Sequence, residues 1–344
     1  MKVVILGGGF CGAFIAKKLD TQKELDVILI DKKEYFEYSP SLCKLLSTPS
    51  YHKRITIPFT QFLKNTRIIT DSIVQVTPEL IEITKERLPF DYLVIATGID
   101  YPIFLDDTEH VFTIKSGDEV TLHAEKVAQA NTILIIGGGL IGTEVAGELA
   151  TQVPKKQIIL LHPHDRLLER NTRRVSRYAK KYLEDHGVHI IFGEKIVHYQ
   201  HGIFITDTQR RINADIGIWC GGIKSNPWYM KTFPPSIFKE RNALKVNQFL
   251  QLEGYPNVFV GGDINSTTEE KTAASAEQHA QVISENILRA LRQKPLRRYT
   301  PRRKPMIISL GNWDGILTYP PLLLMGFIPA IIKLLVEKIS IKRL

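Results

Sequence analysis

The sequence is poor in cysteine: its 344 residues contain Cys11, Cys43 and Cys220 and no others. An odd number of cysteines at unrelated spacings provides neither a disulfide framework nor a pattern of metal ligands. We therefore expect no metal site and a reducing compartment. The apolar share of 44% and the charged share of 24% are ordinary for a globular protein, and the length suggests two or three domains.

Acidic residues are scarce at the end of the chain. Residues 292–344 hold eleven Lys and Arg side chains but only two acids, Asp314 and Glu337. The other 291 residues hold 34 side chains of each sign, so the formal net charge of +9 lies entirely in this last segment. The basic charge alone does not indicate nucleic acid binding, because no aromatic-interleaved or helix–turn–helix pattern accompanies it.

Charge is missing altogether from residues 315–332, a run at the lower limit for crossing a bilayer. Residues that break helices interrupt the run, so we expect no straight spanning helix: Pro320, Pro321, Gly326 and Pro329. From residue 330 to 344, apolar and charged side chains alternate at helical spacing, which favours a helix lying in a membrane interface. Each basic side chain near an anionic leaflet adds roughly 1 kcal/mol of attraction. A dimerisation helix, or a strand and helix of the core, is the alternative.

A glycine-rich turn follows the first apolar run of the chain. The run is short and β-branched, which is typical of a buried parallel strand, and a helical pattern follows the turn. Gly7 permits the tight turn, Gly9 lets the backbone approach a pyrophosphate, and Gly12 lets helix and strand pack closely. Asp31 ends the next apolar run nineteen residues after Gly12, where a carboxylate accepts hydrogen bonds from an adenosine ribose.

The same pattern occurs a second time, with Gly137, Gly139 and Gly142 in the three glycine positions. Two such turns in one chain predict two bound dinucleotides. Glu144 and Glu148 lie four residues apart on one face of the helix that follows.

The ribose-binding acid is missing after the second turn, because His162 stands twenty residues after Gly142. His164 and Arg166 follow it and make a cationic neighbourhood, which suits a 2′-phosphate better than a free 2′-hydroxyl. The sequence therefore leans toward tolerance of NADPH, with a solvated loop histidine as the alternative.

Later segments complete a resemblance to the two-dinucleotide-binding-domain flavoproteins related to glutathione reductase. Residues 92–98 resemble the Ala-Thr-Gly element where the chain leaves the FAD domain. Residues 218–222, with Asn226 and Pro227, resemble the end of the nicotinamide domain, and residues 257–263 resemble the strand whose last Asp contacts FAD.

The resemblance implies an α/β fold of two Rossmann-like domains, one inserted in the other, with a short membrane-facing segment at the C-terminus. The implied limits are 1–105 and 246–299 for the FAD domain, 106–245 for the NAD(P)H domain and 300–344 for the C-terminal segment. FAD is expected at Gly7, Gly9, Gly12, Asp31, Lys32, Ile73, Ala96, Thr97, Gly98, Gly262 and Asp263. NADH or NADPH is expected at Gly137, Gly139, Gly142, His162, Arg166 and Gly222.

The missing cysteines bear on the electron acceptor. Disulfide reductases carry two redox cysteines near the first helix, where only Cys43 is present, and sulfide:quinone oxidoreductases need a late cysteine, of which there is none after Cys220. The remaining relatives are type II NADH dehydrogenases and the smaller quinone reductases similar to ferroptosis suppressor protein and apoptosis-inducing-factor homologues. Residues 311–315 are similar to a Gly-x-x-Asp-Gly turn of these quinone-reducing proteins.

The resemblance implies an FAD-dependent NAD(P)H:quinone oxidoreductase that passes a hydride to flavin and then two electrons to a membrane quinone. Glu144, Gln278 and His279 are the candidate catalytic residues, with packing roles left open for the last two. We expect a cytoplasmic protein attached peripherally to the inner face of a membrane through residues 305–344, with a homodimer left open. The alternatives are a reductase of a soluble electron-carrier protein and a redox-sensing binding protein similar to apoptosis-inducing factor.

Overall fold

The computed structural model describes residues 1–105, 108–225 and 227–344. Its strands, in chain order, are β1 (Lys2–Leu6), β2 (Asp26–Asp31), β3 (Tyr35–Glu37), β4 (Thr56–Pro58), β5 (Arg67–Thr70), β6 (Ile73–Val76), β7 (Leu80–Ile83), β8 (Arg87–Pro89), β9 (Tyr92–Ile95), β10 (Val111–Thr113), β11 (Thr132–Ile136), β12 (Gln157–His162), β13 (Val188–Phe192), β14 (Ile196–Gln200), β15 (Ile203–Thr206), β16 (Arg211–Asn213), β17 (Ile216–Trp219), β18 (Val258–Val260), β19 (Met306–Leu310), β20 (Asp314–Tyr319) and β21 (Leu322–Gly326).

The α-helices are α1 (Phe10–Leu19), α2 (His52–Ile55), α3 (Phe59–Phe62), α4 (Gly117–Gln129), α5 (Leu140–Gln152), α6 (Arg173–Asp185), α7 (Ala273–Leu291) and α8 (Phe327–Lys342). Short 3₁₀ helices cover Ser39–Leu46, Pro49–Tyr51, Trp228–Met230, Pro235–Ile237, Glu240–Asn242 and Gly262–Ile264.

Two parallel five-stranded sheets form the frame of the molecule. The strand order is β18–β9–β1–β2–β5 in the first and β10–β17–β11–β12–β13 in the second. In each sheet the central strand, β1 or β11, is a β-branched run with little or no exposure, as expected of a parallel strand covered on both faces. Helices α1 and α7 pack together beside the first sheet, and α5 packs against the second.

The strand β18 rejoins the first sheet after the whole second sheet has been completed. Val258 pairs with Leu93 and Val260 with Ile95, so β18 is the neighbour of β9. The fold is therefore one Rossmann-like unit inserted in another, and the predicted fold class is confirmed. The residue limits of the domains stay a prediction; Asp106 and Asn226, which stand at a predicted boundary and in a quoted motif, lie outside the described residues.

The C-terminal segment forms a sheet of its own, in which β19, β20 and β21 follow one another in antiparallel order. The uncharged run of residues 315–332 therefore becomes most of two strands and the first turn of α8. Within the described parts of the chain, no helix is long and apolar enough to cross a membrane. Ile308, Leu310 and Ile316 join the main core, so this small sheet is packed against the rest of the protein.

Helix α8 buries two charged side chains and leaves a row of apolar side chains exposed. Lys333 is 8% exposed and Glu337 is 1% exposed. The opposite face carries apolar residues that are 36–61% exposed, and we call it the outer face of α8: Phe327, Ile328, Ile331, Leu334, Leu335, Val336 and Ile339. This arrangement is the reverse of what water favours, and an exposed apolar patch of this kind marks an interaction surface.

Candidate functional site

The first glycine turn joins β1 to α1 as the sequence predicts. Gly7 has a positive φ of 97°, and a Cβ atom on it would overlap the carbonyl oxygen of Ala96. Helix α1 begins after Gly9 with no side-chain cap, so the N–H groups of its first turn stay available to an anion. No described atom lies within 4 Å of a Cβ atom placed on Gly9, so the space in front of the helix fits a pyrophosphate.

Asp31 lies at the end of β2, beside this turn. Its Oδ2 atom accepts the Gly8 N–H at 2.5 Å, and its Oδ1 atom accepts the Lys33 N–H at 2.8 Å. The carboxylate is thereby held at the end of β2, the strand position from which acidic residues of Rossmann folds bind an adenosine ribose. Lys32 is exposed next to it, and Ile73 is half-buried at the start of β6.

Two further segments meet at the carboxyl end of the first sheet. Thr97, after β9, shares a 2.6 Å hydrogen bond with Tyr229, and Gly98 has a φ of 72°. The Gly262–Ile264 helix follows β18, and Asp263 lies half-buried in it. Burial raises the pKa of the Asp263 carboxyl, although Lys271 and His279 oppose the shift.

His279 lies beneath the turn that carries Asp263. Its Nδ1 atom accepts the Gly262 N–H at 3.1 Å, and its Nε2 atom bonds to Glu269 at 2.9 Å. Burial would raise the pKa of Glu269, but hydrogen bonds from His279, Tyr299 and Lys304 outweigh it and lower that pKa to about 2. The fixed contacts of His279 favour a role in orienting the Asp263 turn over direct contact with a substrate.

Gln278 differs from its neighbour His279, because its Oε1 atom is buried and accepts no hydrogen bond from any described residue. A buried polar atom without a partner is rare in a folded protein, and this one is available to accept a hydrogen bond from a ligand or a water molecule. The position therefore fits the contact with bound flavin or quinone that the sequence predicts for Gln278.

The second glycine turn repeats the geometry of the first. Helix α5 begins after Gly139 without a side-chain cap, and no described atom lies within 4 Å of a Cβ atom on Gly139. A Cβ atom on Gly142 would overlap the carbonyl oxygen of Gly137. In the first turn, a Cβ atom on Gly12 would overlap the carbonyl oxygen of Gly7 in the same way. Gly222, after β17, has a φ of 68° and lies at the same end of the second sheet.

The side chains after β12 do not form the cationic neighbourhood predicted from the sequence. His162 is buried and bonded at both ring nitrogens, to the Gly138 N–H and to Glu169. The Arg166 guanidinium donates to the carbonyl oxygens of Glu169 and Asn171 at 2.6 and 3.1 Å. The Arg166 charge is therefore bonded within the loop, because the loop folds back over the glycine turn.

Glu144 is buried between α5 and the C-terminal segment. Its Oε1 atom accepts the Ser309 N–H at 2.9 Å and a hydrogen bond from Lys333 Nζ at 2.5 Å. Burial opposes the charge on Lys333, but the adjacent Glu144 carboxylate outweighs it and raises the pKa of Lys333. Sequence analysis missed Lys333, although its spacing of four residues from Glu337 matches the spacing of Glu144 and Glu148.

Glu148 of α5 and Glu337 of α8 are two further buried carboxylates near the contact between Glu144 and Lys333. Glu148 accepts the Ser47 hydroxyl at 2.5 Å, and Glu337 accepts the Ser41 and Tyr51 hydroxyls at 2.5 Å each. A cavity of about 230 Å³ opens beside them, lined by Lys44, Thr48, Tyr51, Arg54, Glu148, Asn312 and Leu334.

The three cysteines are not placed for thiol chemistry. Cys11 and Cys43 are buried, and Cys220 is half-buried. Burial raises the pKa of Cys43 to about 12, with Glu144 adding to the shift, and burial also raises the pKa of Cys11 and Cys220. A thiol with a raised pKa is a poor nucleophile, which argues against a reactive role for these cysteines.

The sequence is similar to those of known oxidoreductases. Residues 1–280 match the sequence profile of the family described as pyridine nucleotide-disulphide oxidoreductase. Apoptosis-inducing factor homolog A of Dictyostelium discoideum is 30% identical, over 92% of this chain and 84% of that protein. Ferroptosis suppressor protein 1 of Mus musculus is 29% identical, over 91% of this chain and 87% of its own length. Type II NADH:quinone oxidoreductase of Staphylococcus aureus is 24% identical, over 92% and 89%.

A solved structure shares the fold. The structure of NDH2 from Plasmodium falciparum in complex with NADH superposes with a TM-score of 0.87, although only 18% of residues are identical. The alignment covers 97% of this chain and 93% of that one, so the C-terminal segment is included in the likeness.

Proposed function

The chain belongs to the pyridine nucleotide-disulphide oxidoreductase family, and from that premise we propose that it is an FAD-dependent NAD(P)H:quinone oxidoreductase. The observation that carries the proposal is the pair of glycine turns, each followed by an uncapped helix at the end of its own parallel sheet. A relative named for NADH:quinone oxidoreduction supports a quinone as the acceptor.

The first unit holds FAD. The N–H groups of α1 and the open space at Gly9 receive its pyrophosphate, and Asp31 receives its adenosine ribose. Asp263, held by the turn above His279, contacts the other half of the cofactor. When bound, FAD supplies the two-electron chemistry that connects a nicotinamide dinucleotide to a quinone.

The second unit holds NADH or NADPH at Gly137, Gly139 and the N-terminus of α5. Glu144 lies one turn into this helix and retains Lys333 at a buried position. Lys333 Nζ is buried beside this helix, and the adjacent Glu144 carboxylate raises the pKa of Lys333. We assign Lys333 the role of holding a proton there, and Glu144 that of keeping the lysine charged.

The outer face of α8 attaches the protein to a membrane, from which a lipophilic quinone is drawn. Its side chains are apolar and exposed over the length of the helix, from Phe327 to Ile339. Lys338 and Lys342 are exposed on the same helix and add attraction to an anionic leaflet such as an inner membrane face. A second copy of the chain is the other partner that could cover the same face.

The proposal is tested by isolating the protein without added flavin. It should be yellow, and NADH or NADPH should bleach its absorbance at about 450 nm anaerobically. A short-chain ubiquinone added next should restore the colour within one turnover. A colourless protein that fails to take up FAD contradicts the proposal.

The two alternatives give different results in the same experiment. A redox-sensing protein stays bleached for many minutes after quinone is added. A reductase of a soluble carrier reduces a ferredoxin-type protein faster than it reduces the quinone. Removing residues 305–344 does not separate these cases, because it uncovers the buried Glu144 and deletes the core residues Ile308 and Leu310.

A further inference from the structure

The loop between β12 and α6 contains an acid placed for dinucleotide recognition. We infer that Glu169, oriented by His162, binds the adenosine ribose 2′-hydroxyl and makes the protein selective for NADH over NADPH. The inference rests on the proposed function, because it concerns the nucleotide that the second unit binds.

The end of β12 corresponds closely to the end of β2. In the first unit, the Asp31 carboxylate accepts the N–H of Gly8, the second glycine of its turn, at 2.5 Å. In the second unit, His162 Nδ1 accepts the N–H of Gly138, again the second glycine of the turn, at 3.0 Å. His162 therefore replaces the acid in its contact with the backbone, but an imidazole offers no carboxylate to a ribose.

The missing carboxylate comes from seven residues further along the chain. Because Nδ1 of His162 accepts a hydrogen bond, the ring proton resides on Nε2, which donates to Glu169 Oε2 at 2.9 Å. Burial lowers the pKa of His162, although the adjacent Glu169 opposes the shift, so the ring stays neutral. The pair presents one negative charge, and that charge lies on Glu169.

The loop that carries Glu169 is firmly held. Leu167 is fully buried, and the Leu168 N–H donates to the carbonyl oxygen of Gly138 at 2.9 Å. Arg166 donates to the carbonyl oxygen of Glu169 itself at 2.6 Å. The acid is therefore positioned against the glycine turn before any nucleotide arrives.

The Oε1 atom of Glu169 is available to a ligand. Its side chain is 38% exposed, and no described residue donates a hydrogen bond to Oε1. A ribose 2′-hydroxyl can donate to this atom, whereas a 2′-phosphate brings two negative charges toward a carboxylate.

The cations of this loop do not compensate for that repulsion. Arg166 is bonded to two backbone carbonyl groups, and Arg170 pairs with Glu270 at 3.3 Å. His164 is exposed and packs edge-on against His162, with 5.2 Å between the ring centroids. Arg173 and Arg174 are the exposed cations in the first turn of α6, and they are the groups on which a phosphate would have to bind.

The test compares wild type, Glu169→Gln and Glu169→Lys, with Glu125→Gln as a control for charge at an exposed helix position. Dissociation constants for NAD⁺ and NADP⁺ are measured by calorimetry on the FAD-loaded protein, and kcat/KM is measured for NADH and NADPH. We expect wild type and Glu125→Gln to favour the unphosphorylated nucleotide by about tenfold or more, which is about 1.4 kcal/mol. Glu169→Gln should reduce that ratio by about tenfold, and Glu169→Lys should invert it.

A double variant separates recognition from loop packing. His162→Asp added to Glu169→Gln places a carboxylate at the strand end, as Asp31 does in the first unit, and should restore selectivity for NAD⁺ and NADH. A wild-type preference for NADP⁺, or a ratio unchanged within twofold in Glu169→Gln, overturns the inference. Failure to reduce a quinone with either nucleotide contradicts the proposed function instead, and the binding ratio is still measurable in the calorimeter on the FAD-loaded protein.

Discussion

Helices α6 and α8 both lie at the surface, and they bury opposite kinds of side chain. Helix α6 turns Val175, Ala179 and Leu183 inward and its Arg and Lys side chains outward. Helix α8 turns Lys333 and Glu337 inward and leaves the outer face of α8, which is apolar, exposed. Only α6 has the pattern that water favours. The difference supports the proposal that the outer face of α8 is covered by a membrane or a partner, while Lys333 and Glu337 bond the inner face to the rest of the protein.

The largest expected effect comes from removing the buried ion pair between Lys333 of α8 and Glu144. Lys333→Met leaves Glu144 as a buried carboxylate without its cation, and we expect the free energy of unfolding to fall by about 3–5 kcal/mol. Urea and thermal unfolding measure the loss. Lys338→Met, at an exposed position on the same helix, is the matched control and should change stability by no more than about 0.5 kcal/mol. Adding Glu144→Gln to Lys333→Met should recover part of the loss, since the carboxylate charge is then gone.

The outer face of α8 gives the second prediction. Leu335→Glu with Ile339→Glu should lower partitioning onto anionic vesicles by about 100-fold, because two apolar contacts worth roughly 1.5 kcal/mol each are lost. Co-sedimentation with vesicles of phosphatidylglycerol and phosphatidylcholine measures it. Leu122→Glu with Val197→Glu makes the same charge change at exposed apolar positions elsewhere and should leave partitioning unchanged. Unchanged vesicle binding together with a change from dimer to monomer in light scattering would assign this face to a second copy instead.

The contact between α6 and the C-terminal sheet gives a smaller effect. The Tyr178 hydroxyl lies 3.0 and 3.1 Å from the two Asp314 oxygens, so Tyr178→Phe should destabilise the protein by about 1–2 kcal/mol. Tyr182→Phe is the control on the same helix, because no hydrogen bond of its hydroxyl is found within the described residues. Equal unfolding midpoints for the two variants would show that α6 and β20 are not coupled through this bond.

The smallest expected effect is a pH dependence at Glu148. Burial raises the pKa of this carboxyl above its ordinary value of 4.5, although Ser47 and two lysines oppose the shift. The folded state therefore keeps a proton that the unfolded state has lost, so wild-type stability falls as pH rises above 4.5 and levels off beyond the raised pKa. Glu148→Gln has no such proton, and its stability relative to wild type should increase with pH by less than about 1 kcal/mol. Thermal unfolding at a series of pH values checks this, and a difference that shrinks with rising pH would contradict it.

Local pattern was sufficient to predict the two Rossmann-like units. Gly7, Gly12 and Asp31 lie within one strand–turn–helix–strand unit, so their spacing along the chain determines their positions in space. The fold class and the family resemblance are confirmed for this reason. The role of β18 was also predictable, because residues 257–263 resemble a known motif.

Contacts between residues far apart in the sequence could not be predicted from local sequence patterns. Lys333 and Glu144 are 189 residues apart, and nothing in the spacing around either residue reveals the partner. The uncharged run at residues 315–332 indicated an apolar environment, but not that β20 and β21 would use most of it. His162 was seen to be unusual, whereas the loop that brings Glu169 back to it depends on the burial of Leu167 and Leu168.

The position of β18 in the first sheet has a consequence for synthesis on the ribosome. Every strand of the second sheet leaves the ribosome before β18, so the inserted unit can fold while the first unit is still one strand short. During that interval the edge of β9 has no neighbour on one side. At about 5–20 residues per second the 162 residues between Ile95 and Val258 take about 10–30 s to make, and over this time an apolar strand edge is open to pairing with another chain.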